Sequence, residues 1–279
     1  MIPARFEYEV AESPEHAIEL LGSDEDAKLL AGGHSLIPAM RLRLARPSLV
    51  VDIGRLSELS YVRDAGEHIA IGALARHKDV RDASLLQEHC PIVSHTAGLI
   101  GDPQVRHRGT IGGSLAHGDP ASDLPAVMLA LHATLQILGQ DGERGVSAEE
   151  FFTGVFQTAV APGEFLVEIR VPKLSSATGW SYVKMSRRAQ DWATVAVAAL
   201  VERKNGSIER AAIALTNMGA TPLRASSAEA ALAGGSSIAE AAARVAEGTE
   251  PPSDHAGSSD FRKHLAQVLG RRALEESVA

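Results

Sequence analysis

A chain of 279 residues that is 45% apolar and 22% charged has room for two domains with a substantial core. Its net charge of −8 argues against a nucleic-acid or anionic-membrane surface. Its lone cysteine, Cys90, excludes an internal disulfide and cannot alone ligate an iron–sulfur cluster.

In chain order, Arg5–Val10 alternates as a strand, and Ser13 with Pro14 opens a helix that Gly22 follows. Ala27–Leu30 reads as a short buried strand leading into Ala31-Gly32-Gly33-His34-Ser35. Ser35 can cap a helix carrying Leu36, Met40 and Leu44, and Leu49–Ile53 is a second buried strand. That order predicts a parallel βαβ unit. From Leu56 to Pro172 the pattern predicts a mostly antiparallel half, with strands at Ile69–Ala73, Thr134–Leu138 and Glu164–Val171. Its helices are expected from Lys78, over Ile92–Ile100, and from a Ser122 cap to Leu131; Gly139–Gly145 reads as a turn. Pro172–Gly179 is the best domain boundary. Beyond it come a strand at Trp180–Arg187 and a hairpin of Ala193–Lys204 and Ser207–Asn217 around Asn205-Gly206. Helices at Ala228–Leu232 and Ile238–Ala246 follow, then a polar linker, Gly248–Ser259. An amphipathic helix, Phe261–Glu276, closes the chain. Met1–Val10 shows no secretory signal, and the longest nearly apolar run, Ala193–Val201, is too short to span a bilayer. The expected location is cytoplasmic.

Two segments carry the candidate chemistry. Gly109–Pro125 contains four glycines, three hydroxyl residues and two carboxylates ahead of an apolar helix, and Ala31–Ser35 shares its glycine-pair-and-hydroxyl pattern about 80 residues earlier. Glycine pairs admit positive φ and close ligand approach, and successive N–H groups can form an anion nest. Together the two loops are expected to hold the diphosphate of one extended cofactor, although each could also be a plain turn. Neither G-x-x-x-x-G-K-[ST] nor G-x-G-x-x-G occurs. Gly113→Val is expected to abolish cofactor retention, on the premise that residue 113 has positive φ. Asp119 and Asp123 could form an acid–base pair, cap helices or accept hydrogen bonds from a cofactor. His34 and His117 could donate to phosphate or sugar or face solvent, Trp192 could stack on a flat ring near Lys184, and no metal-ligand spacing is present.

Taken together, Ala31–Pro38 with Arg41-Leu42-Arg43-Leu44, Thr110–Ser114, Asp119–Pro125 and Arg187–Thr194 resemble the FAD-binding medium subunits of molybdenum hydroxylases, most of all those of aerobic carbon monoxide dehydrogenases. The resemblance covers nearly the whole chain. It implies an α+β fold: a p-cresol methylhydroxylase-type, two-lobed FAD-binding domain over residues 1–175 (lobes of about 1–55 and 56–175). A smaller α+β C-terminal domain of the carbon monoxide dehydrogenase flavoprotein type, an antiparallel sheet plus helices, would follow over 176–279. Ala31, Gly32, Gly33, His34 and Ser35, with Thr110, Ile111, Gly112, Gly113 and Ser114, would wrap the FAD diphosphate and ribityl chain. Asp123 would bind its polar groups, and Ile100, Leu166, Lys184 and Trp192 would lie by its ring or adenosine end. Relatives often carry Asn in place of Ser114 and Tyr in place of Trp192, which bears on redox tuning and acceptor access.

The resemblance also implies partners: a small subunit with [2Fe-2S] clusters and a large molybdopterin subunit, in a dimer of heterotrimers that oxidises CO and passes electrons through FAD to a quinone or another acceptor. Peripheral association with the inner face of the cell membrane stays open. So do three alternatives: a medium subunit acting with an aldehyde or N-heterocycle hydroxylase (nicotine, caffeine or xanthine type), a stand-alone nicotinamide-dependent flavin reductase, and a cofactor-free assembly subunit.

Overall fold

The structure is a computed structural model that describes residues 1–279. The first sheet has three strands. Ser13 accepts the His16 N–H and Pro14 begins α1 (Pro14–Ser23), which follows β1 (Glu7–Val10). The βαβ unit forms as its spacing predicts: β2 (Lys28–Leu30), α2 (Leu36–Arg41) and β3 (Leu49–Asp52). β3 lies in the middle and pairs in parallel with both β1 and β2.

The second sheet is antiparallel throughout, in the order β4 (Val62–Asp64), β5 (His68–Gly72), β10 (Phe165–Pro172), β6 (Thr134–Gly139), β7 (Gly142–Ser147). Six helices fill the excursion between β5 and β6: α3 (His77–Asp82), α4 (Ser84–His89), α5 (Pro91–Gly98), α6 (Pro103–Arg108), α7 (Ile111–His117) and α8 (Asp123–Ala130). Every residue of α8 is buried, as an apolar helix with no polar face must be. After β7 come a short α9 (Ala148–Phe151) and a two-stranded ribbon, β8 (Phe152–Gly154) and β9 (Gln157–Thr158). Leu74, Phe165 and Val167 from this region join Ile18, Val51 and Ile53 in one apolar cluster, which welds the first two sheets together.

The third sheet is β11 (Thr178–Met185), β12 (Val195–Lys204), β13 (Ser207–Thr216) and β14 (Leu223–Arg224), again antiparallel. Val195–Val201 is buried without a break, because both faces of β12 are covered. Its odd-numbered residues Val195, Val197, Ala199 and Val201 pack with α10 (Ser226–Ala233), α11 (Ile238–Ala243) and α12 (Ser259–Ser277). Its even-numbered Ala196, Ala198 and Leu200 pack into the core that contains α8. The Asn205-Gly206 hairpin turn forms with both residues at positive φ, 52° and 82°, which the twist of a two-residue hairpin demands.

Several details depart from expectation, among them α2, which ends at Arg41 and leaves Leu44 outside it and exposed. The glycine-rich stretch 139–145 is itself part of a β-hairpin, whose second strand is mostly exposed and so lacks an apolar alternation to read. The helix expected to reach Ala246 stops at Ala243. The segment after Gly109 is largely helical, with consequences described below.

Gly179 marks a close approach of sheet and terminal helix, since a Cβ there would overlap the carbonyl oxygen of Ser277. Gly179→Val is expected to push α12 off the sheet and destabilise the protein by about 1–3 kcal/mol, the usual cost of overpacking, with unfolding in urea as the measurement.

Candidate functional site

The turn from β2 into α2 is built as an anion cradle. Gly33 has φ of +77°, where only glycine is unstrained. The main-chain N–H groups of Gly32, Gly33, His34, Ser35 and Leu36 donate to no acceptor in the protein, whereas the carbonyls of Gly33 and Ser35 accept from Ile37 and Ala39. Five successive donors thus lack a protein partner and are available to a ligand, the last two of them at the N-terminus of α2. A nest of this kind favours a phosphate.

The second glycine segment is not a second cradle. Thr110 caps α7 by accepting the Gly113 N–H at 3.2 Å, and Gly112 and Gly113 lie within the helix, not at positive φ. The other N–H groups of its first turn are also committed: Ile111 donates to Ala75, Gly112 to Ala73 and Ser114 to the Thr110 carbonyl. The glycines here serve close packing. A Cβ on Gly112 would stand 2.5 Å from the Ala73 side chain and 2.6 Å from its carbonyl oxygen. A Cβ on Gly113 would meet only the Thr110 hydroxyl, at 2.8 Å, and graze Ala31 at 4.0 Å. The expected strain of a β-branched residue at position 113 therefore has no basis in its φ.

The two segments do touch. A Cβ on Gly32 would strike the carbonyl oxygen of Arg108 and come within 2.8 Å of the Gly109 Cα. Around this contact opens a cleft of about 1560 Å³. Ala31, Gly32, Gly33, His34, Ser35, Ile100, Thr110, Gly112, Gly113, Ser114, Asp123, Leu166, Lys184 and Trp192 all line it. Ile111 does not; it is wholly buried in the core of the second sheet. The cleft has the volume and the chemistry for a dinucleotide: free main-chain donors, the hydroxyls of Ser35 and Ser114, and apolar Ile100 and Leu166 all line it.

The carboxylates have settled roles. Asp119 Oδ1 accepts the Ala121 N–H at 2.9 Å, a turn-capping bond. Asp123 is buried, with Oδ1 taking the Tyr182 hydroxyl at 2.7 Å and Oδ2 the Lys184 ammonium at 2.8 Å. Burial pushes the Asp123 carboxyl up, and the Lys184 charge and both hydrogen bonds pull against it. Burial and the Asp123 charge push the Tyr182 hydroxyl well up as well, so it stays a donor. With Asp119 and Asp123 so engaged, no acid–base pair is poised over the cleft. Trp192 is 65% exposed at the cleft's edge, and the His117 ring lies against Phe156 with centroids 5.0 Å apart. Among the cleft residues that the sequence reading passed over is His77, whose isolated position in Arg76-His77-Lys78 offers no motif.

Comparison with known proteins gives a consistent picture. Residues 4–174 match the family described as FAD binding domain in molybdopterin dehydrogenase, and residues 180–277 the CO dehydrogenase flavoprotein C-terminal domain. The carbon monoxide dehydrogenase medium chain of Hydrogenophaga pseudoflava is 40% identical over 100% of this chain and 99% of its own. The 6-hydroxypseudooxynicotine dehydrogenase complex subunit alpha of Paenarthrobacter nicotinovorans is 38% identical over 100% of this chain and 96% of its own. A solved carbon monoxide dehydrogenase from Hydrogenophaga pseudoflava, which lacks the Mo-pyranopterin moiety of its molybdenum cofactor, superposes with a TM-score of 0.96 at 43% identity over 99% of this chain and 98% of that one.

Proposed function

The chain belongs to the FAD-carrying medium subunits of molybdenum hydroxylases, and from that premise we propose that it serves an aerobic carbon monoxide dehydrogenase. The name of the Hydrogenophaga relative supports CO as the substrate. The Paenarthrobacter relative, nearly as similar and named for 6-hydroxypseudooxynicotine, supports the alternative of a related hydroxylase acting on an aldehyde or N-heterocycle. The proposed chain of events is oxidation of CO with water on a large molybdopterin subunit, transfer through the [2Fe-2S] clusters of a small subunit to FAD, and release to a quinone or similar acceptor. A dimer of heterotrimers, a cytoplasmic location with peripheral membrane contact, and the division at residues 1–175 and 176–279 belong to the same proposal. The separate core under α10–α12 supports that division. No helix is long and apolar enough to cross a membrane.

FAD supplies the redox chemistry, and the chain supplies binding and electrostatics. The observation that carries the reading is the run of unpaired donors at Gly32–Leu36, opening on a cleft large enough for a dinucleotide. Those N–H groups would hold the diphosphate without any need for a basic protein. The Ser35 and Ser114 hydroxyls would donate to the ribityl chain or the diphosphate, and apolar Ile100 and Leu166 would pack against the ring. Asp123 positions Lys184 at the cleft wall through their ion pair.

Two anaerobic titrations test this. CO added to the complex that co-purifies with the chain is expected to bleach the flavin, whereas NADH added to the isolated chain is expected to leave it oxidised. Rapid bleaching by NADH would establish the self-contained flavin reductase instead, and bleaching of the complex by an N-heterocycle but not by CO would reassign the substrate.

A further inference from the structure

His77 is a polar side chain that the protein itself leaves without a partner. It begins α3, is only 3% exposed, and lines the cleft. Its main-chain N–H donates to the Gly109 carbonyl at 3.0 Å, which fixes the residue beside the contact between Gly109 and Gly32. Nδ1 is sealed from solvent and has no hydrogen-bond partner. Nε2 has no partner in the protein either but is not sealed. Gly109 leaves that ring edge uncovered: a Cβ there would stand 2.9 Å from Cδ2 and 3.2 Å from Nε2.

Nδ1 keeps no partner in either state, but Nε2, unpartnered in the protein and not sealed, is free to donate to a ligand held in the cleft. The acceptor must be one that the cleft holds near Gly32. With the cleft read as the FAD site, that acceptor is a phosphate oxygen. We propose that His77 is a ligand of the FAD diphosphate, donating from Nε2 as a neutral imidazole and completing the cradle made by Gly32–Leu36. Neutrality follows from geometry. A protonated ring would place a second N–H at Nδ1, where no acceptor exists. The groups that act electrostatically on the ring are His34, in the glycine turn, and Arg106, on α6, and neither is a carboxylate. On α3 itself, Lys78 and Asp79 pair with each other at 3.9 Å. Burial first, then those two neighbours, hold the imidazole down at about 4.

The test uses the full chain stripped of flavin and titrated with FAD, ADP and riboflavin, the last lacking any phosphate. His77→Leu is expected to bind FAD and ADP about tenfold more weakly, the equivalent of one lost hydrogen bond, and riboflavin unchanged. His77→Gln, which keeps an N–H donor, is expected to recover most of that loss. Wild-type affinity for FAD is expected to stay flat between about pH 5.5 and 8, because the donor does not titrate there. Unchanged FAD binding by His77→Leu overturns the proposal. So does an equal loss for riboflavin, which would mean general damage to the cleft, or a His77→Gln protein as weak as His77→Leu. Should His77→Leu not fold, a tenfold fall in wild-type affinity per pH unit within that range would still overturn the neutral donor. A wild-type chain that binds no FAD would instead sink the reading of the cleft itself.

Discussion

Gly32→Ala is expected to yield a colourless protein. The added Cβ would overlap the carbonyl of Arg108 and press on the Gly109 Cα, and both obstacles are main chain. Neither can rotate away as a side chain would, so the two glycine segments must part. Overpacking of this sort costs about 1–3 kcal/mol in stability. The larger effect falls on the cofactor, because the displaced turn carries the five free donors. Flavin absorbance per chain after purification measures the loss, and circular dichroism checks that the remainder is folded. Gly113→Val is the informative control. Its Cβ meets the Thr110 hydroxyl and no main chain, so it should weaken the helix cap by about 1 kcal/mol and retain more flavin than Gly32→Ala. The opposite ranking would show that α7, not the β2–α2 turn, is the main anchor.

Lys184→Met is expected to destabilise the protein by about 3–5 kcal/mol, because it strands a buried carboxylate. Lys184 and Asp123 are 7% and 6% exposed, so solvent cannot replace the lost partner. The pair joins β11 to α8, so the damage falls on the seam between the third sheet and the second. Asp123→Leu combined with Lys184→Met should cost less than the two single changes added together, because it removes both charges. The sign of the pH dependence is specific. Burial already raises the Asp123 carboxyl, and without the ammonium it rises further above its unfolded value, so the folded state holds the proton more tightly. The deficit of Lys184→Met should therefore shrink as pH is lowered from 7 towards 5 and grow on the return. Urea unfolding at several pH values measures this, and a deficit independent of pH would mean that Asp123 finds another partner.

Much of this architecture was legible in the residues themselves. Ser13-Pro14, the β2–α2–β3 spacing and Asn205-Gly206 each follow a local rule, and each forms as that rule requires. The resemblance-based site residues come together in one cleft, Ile111 excepted. What failed was the inference from glycine to backbone freedom. Gly32-Gly33 and Gly112-Gly113 look alike as letters, but the first pair frees N–H groups and the second lets a helix press onto Ala73. No local signal separates those uses, since the second depends on a strand end some 40 residues away. His77 was invisible for a related reason. Its significance lies in the absence of any partner, and an absence has no sequence pattern.

The cleft draws its walls from three parts of the chain: the β2–α2 turn, the α6–α8 region, and β11 with the residues just after it. A molecule lodged there touches all three, and its binding energy then opposes the loosening of any one of them. Loading should thus raise the melting temperature of the chain as a whole, with the flavin acting as a clasp across all three.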